Sequence, residues 1–204
     1  KRVEGRNFDI RKMLLEYDDM ANEQRQIIYT QRNNILEADV ITDLLNSMRE
    51  TVISDELDNV SLGELEPHEW NSEILESSLS NIFGFQMPIS QWIASNSNIT
   101  REKIEEMILD TAQLAYKEKS ESIGPVMRDF EKQILLQIID TSWKDHLAEV
   151  DALRQGIGLR SYASKNPKLE FRRESFELFE SLLNKIRLEG IRFLSRVEIE
   201  LEDS

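Results

Sequence analysis

The chain has 204 residues, 39 of them acidic and 25 basic, for a formal net charge of −14, and it has no cysteine. That length can bury a substantial core, and that charge argues against a general nucleic-acid binder, because attraction to phosphates needs a basic face. Disulfides and cysteine-based zinc sites are excluded, which fits a reducing compartment, and neither a membrane-length apolar run nor a signal peptide is visible.

Residues 1 to about 37 read as one long helix. Ile10, Met13, Leu14, Tyr17, Ala21, Ile28 and Ile35 recur at helical spacing, and no glycine or proline follows Gly5. At about 1.5 Å per residue the helix would span roughly 50 Å, a strut against which several partners can pack. Lys1 already lies inside this pattern, so the chain reads as a piece of a larger protein. Arg6, Arg11, Lys12, Arg25 and Arg32 alternate with Glu16, Asp18, Asp19 and Glu23. Their spacing reads as surface pairing along one helix, and the acidic group as a solvated face before a cation site.

Residues 38 to about 60 continue as helix through Val40, Ile41, Leu44, Leu45, Met48, Val52 and Ile53. The stretch 48–124 is acidic, with 15 acidic and 5 basic residues. From Asp55 to Glu73 the acidic stretch with Gly63 and Pro67 reads as a loop or short helices, and Ile74 to Phe83 reads as a short helix stopped by Gly84. Pro88 opens a short turn, and Thr100 caps a helix through about Ser120. This middle region reads as a small acidic helical subdomain, punctuated at its end by Gly124 and Pro125.

The rest reads as a helical hairpin. Leu135, Ile139, Trp143, Leu147, Val150 and Leu153 make one apolar face, and Gly156 and Gly158 are expected to end it. Asn166 and Pro167 fit the cap and first position of a second helix running to about Leu201. That helix carries Phe176, Phe179, Leu182, Leu183, Ile186, Phe193, Leu194 and Val197. From Arg154 to Arg173 there are six basic residues and one acidic one, Glu170. The hairpin tip is thus a basic island on an acidic protein, suited to an anionic lipid surface or an acidic groove. Strand-type alternation is scarce, so the predicted fold class is all-α, with a long helix, a helical subdomain and a long hairpin.

No catalytic pattern emerges: no Walker A sequence, no dinucleotide glycine motif and no HExxH. His68 and His146 are the only histidines. Asp145 and His146 are neighbours on a helix and point in different directions, so His146 reads as a packing or hydrogen-bonding residue near Trp143. Trp70, Trp92 and Trp143 read as core or subdomain-contact residues. Tyr162, between Arg160 and Lys165 on the tip, reads equally as loop packing against Leu159 or as a contact residue with a broad aromatic face.

Two long motifs are specific. NFDIRKMLLEYDDMANEQRQIIY (Asn7 to Tyr29) and LRQGIGLRSYASKNPKLEFRRESFELF (Leu153 to Phe179) closely resemble the SecA family, ATP-driven motors of bacterial preprotein translocation. DTSWKDHLAEVDALRQGI looks like the same family, and the acidic middle matches more loosely. The resemblance implies three parts: residues 1–37 as the long helix of the helical scaffold domain, 38–124 as the helical wing, and 125–204 as the two-helix finger. It implies that Tyr162 at the finger tip touches the translocating preprotein and that Arg11 couples to the motor through a salt bridge. Arg160 and Lys165 would help dock the tip at the SecYEG channel. Ser161 and Ser164 stand where the family commonly has glycine and glutamine. The implied partners are the remaining motor domains, SecYEG and the preprotein, with room for an anionic lipid surface and for a homodimer of the intact protein. The implied location is the bacterial cytoplasm and the cytoplasmic face of the inner membrane, as a peripheral protein. ATP and magnesium belong to the intact protein, and this segment is expected to hold no cofactor and no catalytic residue. Two other readings are a free-standing helical adaptor, which an upstream Walker A sequence in the same gene would exclude, and a helical enzyme using Asp145 and His146, which would need a pocket uniting them.

Overall fold

The strut forms as its periodicity dictates. In the computed structural model, which describes residues 2–61, 65–160 and 166–199, α1 runs unbroken over Arg2–Glu37. The side chains of Arg2, Arg6, Ile10, Gly158 and Arg160 lie outside this description. Tyr17, Gln24, Ile28 and Ile35 are buried along one side of α1. The helix does not continue past 38 as the sequence suggests. A new helix, α2 (Thr42–Ser61), begins after the break, and Ile35 near the end of α1 and Ile41 just before α2 are each buried in their own unit.

The helices that follow end where local chemistry ends them. Asn71 caps α3 (Ser72–Phe83) by accepting from the Ile74 N–H at 3.3 Å. Gly84 terminates it at φ 84°, a left-handed conformation that side chains with a Cβ rarely adopt. Pro88 precedes α4 (Ile89–Ser95). Thr100 caps α5 (Arg101–Ile123) as its type predicts, its hydroxyl accepting from the Lys103 N–H at 3.2 Å. Gly124, at φ 90°, ends that helix.

The hairpin helices are α6 (Val126–Arg160) and α7 (Pro167–Arg196). Here the expectation for Gly156 and Gly158 is corrected, because α6 passes through both. Two helical glycines cost about 1 kcal/mol each. Burying Ile157, with Val150, Tyr17 and Phe171 in the same cluster and Leu153 packed against it, returns about 1.5–3 kcal/mol for each large side chain and outweighs that cost. Asn166 caps α7 as expected, its side chain accepting from the Leu169 N–H at 3.3 Å. α7 stops at Arg196, short of Leu201. There Lys119 Nζ donates to the Leu194 and Ser195 carbonyls at 3.1 and 3.0 Å, binding the helix's last acceptors. On α7, Phe176 and Phe193 are exposed, whereas Phe171, Phe179, Leu182, Ile186 and Leu194 are buried.

Among the described residues the secondary structure is seven α-helices and one short 3₁₀ turn at Pro67–Glu69, so the fold is all-α. The chain falls into two compact units, one of residues 1–38 and 136–186, the other of residues 39–135 and 187–204. In the second, α2 packs on α3 and α5 over a core that includes Leu45, Ile53, Leu75, Ile104 and Ile108. Trp70 is buried there with its indole N–H donating to the Leu65 carbonyl at 2.8 Å, and Trp92 is half-buried. Gly190 on α7 lets the helix approach Met48 and Leu135, since a Cβ there would lie 3.2 and 3.3 Å from their side-chain ends.

Candidate functional site

The unit of residues 1–38 and 136–186 carries the residues that the motifs single out. Its frame is built from both packing and polar bonds. The Tyr17 and Phe171 rings pack tilted at 45° with centroids 4.0 Å apart, in one cluster with Val150 and Ile157. The Arg154 guanidinium lies 5.9 Å from the Tyr17 ring and pairs with Asp18 at 3.0 Å. Lys168 pairs with Glu16 at 2.6 Å, and Arg32 binds Asp140 through two hydrogen bonds of 2.8 and 3.2 Å.

The charges of α1 named here therefore do not pair along the helix, as their spacing suggests. They reach across to α6 and α7. Cross-helix partners were invisible because sequence spacing reports neighbours on one helix only. Asp18 and Glu16 are committed to these ion pairs, and among the described residues no group of three or more metal-ligating side chains gathers. The basic island is also partly neutralised: Arg154 and Lys168 are held by α1, and Arg173 pairs with Glu177 at 3.7 Å.

A buried polar network joins the three helices. The Gln24 side-chain amide donates to the Ser175 carbonyl at 3.2 Å and to its hydroxyl at 3.1 Å. Its carbonyl oxygen lies 2.8 Å from His146 Nε2, which must therefore carry the proton and donate. His146 packs against Trp143 and Phe179, with ring centroids 5.3 and 5.9 Å apart. Asp145 instead faces outward to Lys185 at 3.5 Å, so Asp145 and His146 form no joint site. Gln24 was the residue missed. Its signal was present as a polar side chain in register with Tyr17 and Ile28 on an apolar stripe.

Burial lowers the His146 pKa below its ordinary value. The unfolded chain then binds the proton more readily, so this contribution to stability is complete above the ordinary histidine range and is lost as pH falls through it. Denaturant midpoints should drop between pH about 7 and about 5.5, and His146→Gln, which keeps a donor for Gln24, should flatten that drop. Equal pH slopes for parent and variant would count against it.

Tyr162 and Lys165, with Ser161 and Ser164, lie outside the described residues, and so does the Arg160 side chain. Arg11 is exposed on α1 and makes no ion pair among the described residues. No helix among the described residues is long and apolar enough to cross a membrane.

A second face of α1 completes the geometry. Phe8, Leu15, Tyr29 and Leu36 are 68, 65, 49 and 53% exposed, at heptad spacing with Asn22 completing the row. At 100° per residue this row lies on the side of the helix away from Tyr17, Gln24, Ile28 and Ile35. A long helix built into a hairpin on one side and carrying a row of exposed apolar side chains on another has the form of a helical scaffold.

The model of the SecA wing and scaffold domain matches residues 1–198, and the chain belongs to that family. The protein translocase subunit SecA of Cellvibrio japonicus (strain Ueda107) is 47% identical over 198 residues, 97% of this chain and 22% of the relative. The proteins of the same name from Pseudomonas putida strains F1 and W619 are each 46% identical over 204 residues, the whole of this chain and 22% of each relative. The chain thus spans about a fifth of the length of these relatives.

Proposed function

We propose that this chain is the scaffold and wing portion of a protein-translocating motor. The observation that carries the reading is the two-faced α1, whose outer apolar row runs for roughly 40 Å and offers a seat to further domains. Residues 1–37 serve as the long scaffold helix, 38–124 as the wing and 125–204 as the two-helix finger. ATP and magnesium are bound by domains outside this chain, which itself supplies no nucleotide chemistry. Their motion passes along α1 to the hairpin, and the tip moves a preprotein through SecYEG. Tyr162 grips the preprotein, Arg160 and Lys165 dock the tip, and Arg11, solvent-facing here, pairs with the motor. The protein works in the cytoplasm and at the cytoplasmic face of the inner membrane, where the basic tip suits anionic lipid, and a second copy is a further partner of the intact protein.

The test uses the intact protein with SecYEG vesicles. Tyr162→Ala should leave basal ATP hydrolysis nearly intact and reduce preprotein transport, with Tyr162→Phe retaining more. Arg11→Ala should hardly change folding, as expected of an exposed charge, yet alter ATP turnover or its coupling to preprotein. Parent-like transport by the Tyr162 variant removes the gripping role, and parent-like turnover and coupling remove Arg11 from the mechanism.

A further inference from the structure

The inner seam of α1 runs through Tyr17, Ala21, Gln24, Ile28 and Ile35, steps of four, three, four and seven residues that follow a heptad repeat. A wholly apolar seam of this kind holds helices together but specifies their register weakly, because a slip of one turn sets one apolar side chain where another was. Gln24 interrupts the pattern at its centre. It is 8% exposed, and its partners His146 and Ser175 are 3% and 1% exposed.

The Gln24 amide makes three hydrogen bonds, and each crosses to the hairpin. Its Nε2 donates to the Ser175 carbonyl and hydroxyl on α7, and its Oε1 accepts from His146 Nε2 on α6. One side chain thus ties α1 to both hairpin helices at a single level. A slip of one turn would carry the amide about 5 Å away, beyond hydrogen-bond length. The His146 N–H would then stay buried against Trp143 and Phe179 with no acceptor, which costs the full desolvation of that group.

The ion pairs between α1 and the hairpin impose no such penalty. Asp18, Lys168 and Asp140 are each more than half exposed, so water can replace the partner when the register changes. A lone buried polar residue in an apolar seam is the best-attested device for fixing helix register.

We propose that Gln24 is a positioning residue of the motor. It locks α1 in one register on α6 and α7, so that a displacement of α1 along its axis reaches the hairpin instead of being lost as slip at the seam. This role rests on the scaffold reading proposed above, whereas the lock itself is a property of the 204-residue chain.

The test replaces both ends of the buried bond with apolar side chains, Gln24→Met together with His146→Leu, since removing donor and acceptor at once strands neither. The 204-residue chain has no cysteine, so Asn22→Cys and Ser181→Cys can carry spin labels at exposed positions of α1 and α7. Pulsed electron resonance should give a single interlabel distance in the parent. The double variant should keep its helicity and show a second population, from chains in which α1 has slipped by one turn, about 5 Å. In the intact protein with SecYEG vesicles, the same two changes should leave preprotein-stimulated ATP hydrolysis within about twofold of the parent's, while the ATP consumed per preprotein transported rises at least about fivefold. A merely structural role would lower hydrolysis and transport together and leave that ratio unmoved. A single, parent-like distance in the variant overturns the lock, whatever the motor does. A second population with an unchanged ratio overturns the positioning role. An intact parent whose ATP hydrolysis ignores preprotein and SecYEG overturns the scaffold reading and the positioning role with it, and the lock is then decided by the label distances alone. Should the double variant lose helicity, Gln24→Met by itself is read in the same two ways.

Discussion

Trp143→Ala should destabilise the chain by about 3–5 kcal/mol, read as a lower denaturant midpoint at unchanged slope. Trp143 is buried on α6 against the His146 ring, which packs in turn on Phe179. Truncation removes the largest side chain type from this core and opens a void beside the Gln24–His146–Ser175 network. The hydrogen bond of His146 to Gln24 is positioned by that packing, so its geometry loosens as well. Trp143→Phe keeps an aromatic wall and should recover much of the loss. A midpoint unmoved by Trp143→Ala would show that this packing contributes nothing.

Phe171→Ala should cost about as much, roughly 3–5 kcal/mol, and its effect should be local in a way the first is not. Phe171 is fully buried at the start of α7, packed on the tilted Tyr17 ring and clustered with Val150 and Ile157. That cluster holds α6 helical through Gly156. Without it, the two helical glycines have less burial to offset their conformational cost. Hydrogen exchange should therefore accelerate at the amides of Val150 to Ile157 before those of Ile104 and Ile108 in the other unit. Uniform acceleration at both sets of amides, or none, would contradict the assignment of the cluster to this end of α6.

Much of this architecture was legible because it is local. Thr100, Asn166 and Gly84 act through their own turn of chain, and the structure finds each in the role its type suggests. The stripe Tyr17–Ile28–Ile35 was equally readable, since burial follows the helical period. What could not be read depended on residues distant in sequence. Gly156 is helical because Ile157 has Tyr17 and Phe171 to pack on, a fact that no local rule contains. The ion pairs Asp18–Arg154, Glu16–Lys168 and Arg32–Asp140 join positions more than a hundred residues apart. The network of Gln24, His146 and Ser175 likewise comes from three helices. Arg11, singled out through its motif, is exposed on α1. The outer row of α1 was visible in the sequence as Phe8, Leu15, Tyr29 and Leu36, but only the structure shows that α6 and α7 leave it uncovered.

That row tests the central claim most directly. The measurement is ATP-driven preprotein transport into SecYEG vesicles by the intact protein carrying Leu15→Glu and Tyr29→Glu together, beside the stability of the 204-residue chain with the same changes. Both side chains are exposed in this chain, so its denaturation midpoint should move by no more than about 0.5 kcal/mol. In the intact protein two charges would be forced against a packed domain, and transport should fall by at least about tenfold. Transport equal to the parent's, with the variant's chain still stable, would show that the outer face of α1 seats nothing and that α1 is not the scaffold of the motor.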